Sequence, residues 1–274
     1  MAFAARRPRL GQHFLASAAF LDRIAREVHF ASRNADLVIE VGAGMGALTR
    51  RLLGSGRRVL ALEIDGRLAD GLRRQFGAQP DFELLEADVL ETDLGGLIRE
   101  RTARPAVVAG NLPFYITSPI LRWVFDGGER VAAAVLLMQK EIAWRVAARP
   151  GTREFGFLSV LCQAHSRPEA LFTVPPQAFR PVPRVTSTLL RFSVEPRLAA
   201  CGVADRPAFL DFAQLCFRQK RKMLRNNLQQ RFGAARLAGL PQARLRAEQL
   251  SVEELAALWL ELSGTAAARE ARSP

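Results

Sequence analysis

The 274 residues are 49% apolar and 24% charged, with a mean hydropathy of +0.02, which excludes disordered, collagenous and fibrous classes. At roughly 100 to 200 residues per domain, the length suits one large domain and one small one. The 39 Lys and Arg against 27 Asp and Glu leave a net charge of +12, which argues for a polyanionic partner without separating nucleic acid from an anionic surface.

The opening MAFAARRPRLGQHFL has no apolar run after its basic residues and does not read as a secretory signal. Short apolar runs then alternate with helical patterns, the signature of βαβ units around a buried, mostly parallel sheet. Strands are predicted at 37–41, 58–64, 82–86, 106–110, 132–138, 156–163 and 188–194, with helices at 47–54, 67–76, 118–125 and 140–148. Five parallel strands and two antiparallel-compatible ones make a seven-stranded, doubly wound α/β sheet. The longest apolar stretch, Val131 to Met138, is far below the roughly 20 residues of a spanning helix. Cys162, Cys201 and Cys216 are odd in number and widely spaced, so neither a disulfide framework nor a CxxC metal site is expected, and a reducing cytoplasm fits.

Composition shifts near Glu195, giving domains 1–195 and 196–274. The second part is helical, with Phe209, Phe212, Leu215 and Cys216 on one face and a capping box expected from Ser251 and Glu254 before a last helix. The tail from Gly264 is expected to fray. Residues 180–274 hold 16 Lys and Arg against 8 Asp and Glu, so +8 of the +12 lies there. Its densest point, Arg218, Lys220, Arg221, Lys222 and Arg225, suits phosphate contact.

The run Val38-Ile39-Glu40-Val41 leads into Gly42-Ala43-Gly44-Met45-Gly46. Glycines between a strand end and a helix start let the backbone approach a ligand. The spacing is GxGxG rather than the GxGxxG of a dinucleotide site, and Glu40 so near the turn would repel a pyrophosphate while tolerating an ammonium and a sulfonium. The next strand ends in Glu63, about 20 residues past the glycines, where a carboxylate accepts both ribose hydroxyls of an adenosine. Asp65 reads as a helix N-cap. Asp88, after the third strand, can accept an adenine amine.

The fourth strand runs into Gly110-Asn111-Leu112-Pro113-Phe114. Adenine N6 is a poor nucleophile because its lone pair is delocalised. The Asn111 side-chain carbonyl and a Leu112 or Pro113 backbone carbonyl can hold the N6 hydrogens and favour a pyramidal nitrogen, while Phe114 stacks on a base extruded from its helix. Positioning and electrostatics then suffice without a general base.

With these residues in place, the chain resembles the ribosomal RNA adenine N6,N6-dimethyltransferases of the KsgA type. The segments are LGQHFL at 10–15, VIEVGAGMGALT at 38–49, LEID at 62–65, ADVL at 87–90, GNLPFYITSPIL at 110–121, MQKEIAWRVAARPG at 138–151, VPPQAFRPVPRVTS at 174–187 and RKMLRNNL at 221–228. The resemblance implies a Rossmann-like methyltransferase sheet with a small all-helical C-terminal domain. It also implies S-adenosylmethionine-dependent dimethylation of two adjacent adenines near the 3′ end of small-subunit rRNA, in a late assembly particle, by a monomer without a metal. The cofactor residues it implies are His13, Leu15, Gly42, Gly44, Glu63, Ile64, Asp88, Val89 and Asn111. Asn111, Leu112, Pro113 and Phe114 would frame the target base, and the basic cluster of the helical part would dock on rRNA.

The family usually has Asn where His13 stands, Tyr where Phe114 stands, and Arg where Phe157 stands. The related Erm type, which methylates a large-subunit adenine, is the alternative; a Rossmann oxidoreductase and a catalytically weak assembly factor are more distant ones. His29 and His165 lack metal-like partners, and Trp123, Trp144 and Trp259 read as core. The proline-rich stretch 174–185 reads as a rigid loop, with Phe172 and Phe179 either touching RNA or anchoring it.

Overall fold

The computed structural model describes residues 13–54, 56–113 and 116–270, the last six by backbone alone. The strands are β1 (Phe14–Leu15), β2 (Leu37–Val41), β3 (Arg58–Glu63), β4 (Phe82–Glu86), β5 (Ala106–Asn111), β6 (Val131–Gln139), β7 (Ser166–Val174), β8 (Phe179–Arg180) and β9 (Ser187–Val194). The helices are α1 (Ala18–Ala31), α2 (Thr49–Leu53), α3 (Gly66–Phe76), α4 (Leu94–Arg99), α5 (Thr117–Asp126), α6 (Lys140–Val146), α7 (Phe157–Gln163), α8 (Arg197–Ala200), α9 (Arg206–Cys216), α10 (Leu224–Phe232), α11 (Ala234–Ala238) and α12 (Val252–Glu270).

Seven strands form one sheet in the order β4-β3-β2-β5-β6-β9-β7. The pairs β3–β4, β2–β3, β2–β5 and β5–β6 are parallel. Every residue of LVIEV in β2 is buried, Glu40 included, as a central parallel strand covered on both faces requires. Chain order reverses at β2, whose neighbours are β3 on one side and β5 on the other. Such a switch leaves a crevice at the carboxyl ends of the strands. On one face, Leu21, Ile24, Ala25 and Val28 of α1 pack with Val38, Val59, Val107 and Val135 of the sheet.

One predicted strand is a helix. The segment 156–163 forms α7, and the strand follows it as β7. Short apolar runs such as FLSVLC do not tell a buried helical turn from a strand by periodicity. Pro168 argues against a strand in SRPEALFTV, yet β7 ends the sheet order, and an edge tolerates the missing N–H. The last helix continues to Glu270, past the expected fraying point. Trp144, expected in the core, is 54% exposed, whereas Trp123 is buried and donates through Nε1 to the Thr92 carbonyl at 3.0 Å.

The chain divides into two compact units along a different cut from the 195/196 division read from composition. The described residues up to Lys140 join Ala170–Arg191, while Glu141–Glu169 join the segment from Phe192 onward. The second unit has its own core of Phe155, Val160, Phe209, Phe212, Leu224 and Leu255, among others. The expected capping box is present: Glu254 N–H donates to Ser251 Oγ at 3.1 Å, and Ser251 N–H to Glu254 Oε2 at 2.7 Å. Among the described residues, no helix is long and apolar enough to cross a membrane.

Candidate active site

The register of the sheet assembles the site. Val41, the last residue of β2, lies opposite Leu62 on one side and Gly110 on the other, so the turn 42–46 emerges between Glu63 and Asn111. A Cβ at Gly110 would stand 2.7 Å from the Val41 carbonyl oxygen, so only glycine lets β5 close on β2 at this level. Gly42, Gly44 and Gly46 all have positive φ, at 68°, 58° and 77°. Open space surrounds the position of a Cβ at Gly42, whereas one at Gly46 would stand 2.4 Å from the Phe76 ring. Gly42 thus borders the ligand side of the turn, and Gly46 seats it on α3.

The turn is not a phosphate nest. Gly42 and Ala43 N–H both donate to the Leu62 carbonyl, at 2.8 and 3.3 Å. Gly44 N–H donates to Glu63 Oε2 at 2.8 Å. Asp65 N–H donates to the other oxygen, Oε1, at 3.0 Å, so the buried Glu63 carboxylate is fixed at the end of β3. A pyrophosphate at this turn would find those amides engaged and meet the carboxylate instead.

The engaged amides of the turn, rather than the charge of Glu40, therefore argue against a pyrophosphate here. The sequence argument treated Glu40 as a charged acid beside the turn. In the structure it is 2% exposed and accepts the Thr49 hydroxyl at 2.6 Å, tying β2 to the start of α2. Burial, aided by the nearby Glu63 carboxylate and opposed by the Thr49 hydrogen bonds, pushes its carboxyl up to about 8.

Asp65 caps α3, accepting from Arg67 and Leu68 N–H. Asp88, two residues beyond β4, accepts Leu90 N–H at 3.0 Å, which holds its carboxylate at the same edge, with Val89 buried beside it. Ile64 is 62% exposed immediately after Glu63. Met45 and Leu90, not singled out from the sequence, are likewise exposed apolar side chains in the loops after β2 and β4. Their signal was their place inside the glycine-turn and ADVL segments.

On the other side of the turn, Asn111 Nδ2 donates to the His13 carbonyl at 3.1 Å, and His13 Nδ1 bonds the Pro181 carbonyl at 2.8 Å. Phe14 and Leu15 pair with Arg180 and Phe179 in the small sheet β1–β8. The proline-rich stretch thus holds His13 and Leu15 against the end of β5. Phe179 is buried and anchors that stretch; Phe172 stacks with Phe20 and sits 3.9 Å from the Arg23 guanidinium.

Leu112 is buried, and its N–H bonds the Leu137 carbonyl at 2.9 Å. The Pro113 carbonyl, one of the two backbone acceptors considered for the base, is engaged by Ile116 N–H and Thr117 Oγ1, at 3.3 and 3.2 Å. That favours the Leu112 carbonyl. Phe114 lies outside the described residues.

In the second unit, the basic cluster runs from the connection after α9 into the first turn of α10, where Arg225 lies. Arg218, Arg221, Lys222 and Arg225 are exposed. Lys220 is turned inward, bonded to the Arg153 carbonyl and 3.7 Å from Glu248. Among the described residues, no group of three or more His, Cys, Asp or Glu side chains is placed to hold a metal ion.

Comparison with known proteins agrees with this arrangement. "Ribosomal RNA small subunit methyltransferase A" of Acidobacterium capsulatum is 42% identical over 93% of this chain and 91% of its own length. The protein of the same name from Koribacter versatilis is 39% identical over 94% and 95%. Among solved structures, a dimethyladenosine transferase from Plasmodium falciparum shares the fold with a TM-score of 0.76, at 21% identity over 93% of this chain and 98% of that one. The 23S rRNA methyltransferase ErmE superposes with a TM-score of 0.65 at 27% identity, over 91% and 97%. The family model for ribosomal RNA adenine dimethylase matches residues 4–267. With the glycine turn, Glu63, Asp88 and Asn111 gathered at one sheet edge inside that match, the chain belongs to the ribosomal RNA adenine dimethylase family.

Proposed function

We propose that the chain transfers methyl groups from S-adenosylmethionine to N6 of two adjacent adenines near the 3′ end of small-subunit rRNA, in a late pre-30S particle. The observation that carries this is the orientation of Asn111. Its amide nitrogen is committed to the His13 carbonyl, so Oδ1 is the atom left to accept from a base, in the crevice beside the glycine turn.

The residues present fit the methyl donor. Gly42 offers a surface without a side chain, Glu63 a fixed carboxylate for ribose hydroxyls, Asp88 an acceptor for an adenine amine, and Ile64 an apolar wall. His13, Leu15, Gly44 and Val89 complete the proposed contacts. When bound, S-adenosylmethionine supplies a methyl group made electrophilic by its sulfonium.

The protein's own part is to hold the acceptor. Asn111 Oδ1 and the Leu112 carbonyl accept the two N6 hydrogens of an extruded adenine, localising the nitrogen lone pair. Pro113 fixes the backbone that presents them, and Phe114 follows in sequence as the stacking face. The exposed arginines and lysine of the α9–α10 connection contact rRNA phosphates. The names of the relatives support the small subunit, since identity to them exceeds that to ErmE.

Replacing Asn111 with Ala is expected to lower methyl transfer to small-subunit particles by at least 100-fold, about 3 kcal/mol of transition-state stabilisation. Particle binding measured by co-sedimentation should stay near wild type. Unchanged transfer would remove Asn111 from the assigned role.

A further inference from the structure

We propose that the second unit carries a nucleotide site of its own: an open groove that takes one unpaired RNA nucleotide, base against Phe157 and Phe217, phosphate on Arg218 and Arg231. The identity of the ligand rests on the reading that RNA is the substrate; the groove itself does not.

The groove has a volume of about 730 Å³ and lies entirely among helices of this unit, within the range of small-ligand sites. The start of α7 contributes Phe157, the end of α9 and its following turn contribute Phe217 and Arg218, and α10 contributes Gln230 and Arg231. Both phenylalanines are half-buried and packed against the unit's core. Phe217 is also backed by the Phe155 ring, with centroids 6.1 Å apart. These are rigid aromatic faces of the kind on which unstacked bases rest.

The polar groups of the groove are uncommitted. Among the described residues, the side chains of Asp211, Gln214, Arg218 and Gln230 make no hydrogen bond or ion pair. Two amides and a carboxylate can pair with the edge of a base. Arg231 lies over the Phe232 and Trp259 rings, 5.5 and 6.0 Å from their centroids, which steadies its guanidinium.

Charge sets the polarity. Asp211 lies one turn before Gln214 and Leu215 on α9, and Arg218 follows in the turn after that helix. A phosphate is disfavoured at the acid and favoured toward Arg218, which continues into the exposed Arg221, Lys222 and Arg225. A strand of RNA tracking those cations would present a base to the groove.

The test is binding of the full chain to a short labelled RNA of guanosine and uridine only, which offers no target adenine, and to its abasic counterpart of equal charge. Wild type is expected to bind the base-bearing RNA about tenfold tighter. Phe157→Ala should erase most of that ratio with little change for the abasic strand, whereas Arg218→Ala should weaken both. Gln214→Ala with Gln230→Ala, at exposed helix positions, should also reduce the ratio and serves if Phe157→Ala unfolds. A wild-type ratio near one, or a full ratio retained by the folded variants, would overturn the proposal. Methyl transfer to small-subunit particles by the wild type, measured alongside, reads the first site separately, so the two readings fail independently.

Discussion

Glu40 and Glu63 stand on neighbouring strands with opposite settings. Glu63 accepts two backbone N–H groups, which fix its side chain at a strand end. Glu40 is buried, accepts the Thr49 hydroxyl, and has its carboxyl raised to about 8 by desolvation. A carboxyl raised on folding contributes stability that is complete below its unfolded value, near 4.5, and is lost as pH rises through about 8. Glu40→Gln keeps an acceptor for Thr49 and cannot ionise. Its stability relative to wild type, measured by denaturant unfolding, should grow from pH 4.5 to 8 at up to about 1.4 kcal/mol per pH unit. A difference that stays flat across that window would contradict a buried, neutral Glu40.

At the scale of elements, the glycine turn separates packing from binding. Gly46→Ala would force a Cβ into the Phe76 and Leu72 side chains of α3 at φ 77°. Overpacking and backbone strain together should cost about 2–4 kcal/mol of unfolding free energy. Gly42→Ala meets no neighbour, so beyond a modest backbone cost it should weaken S-adenosylmethionine binding instead; calorimetry and thermal unfolding on both variants separate the effects. A Gly46→Ala protein as stable as wild type would contradict the packing.

The turn and the strands β2 to β6 were legible because short, apolar-rich runs between helical patterns have few other readings, even where an acid interrupts β2 and β4. Helix α7 was not, since a seven-residue segment with five apolar side chains fits two periods. Helix α1 was overlooked although Leu21, Ile24, Ala25 and Val28 fall at i, i+3, i+4 and i+7, the spacing of one buried helix face. At the site, residue types and order were readable. The pairing of Asn111 with the His13 carbonyl, 98 residues away, and the burial of Glu40 were not, because each is set by tertiary register.

For the whole molecule, the net charge is shared equally by the two units, +6 in each, and what differs is where it lies. The site at the sheet edge is lined by acids that suit a cationic methyl donor, while the segment from residue 180 onward carries +8 of the +12. RNA binding through the exposed Arg218, Arg221, Lys222 and Arg225 should weaken steeply with salt. The central claim is that this site acts on adenines of the small subunit. Transfer of labelled methyl groups to small-subunit particles lacking the modification, compared with protein-free 23S rRNA and followed by mass spectrometry of the digested RNA, tests it most directly. The account predicts dimethyladenosine at two adjacent positions near the 3′ end of the small-subunit RNA and none in 23S rRNA; label confined to 23S rRNA would contradict it.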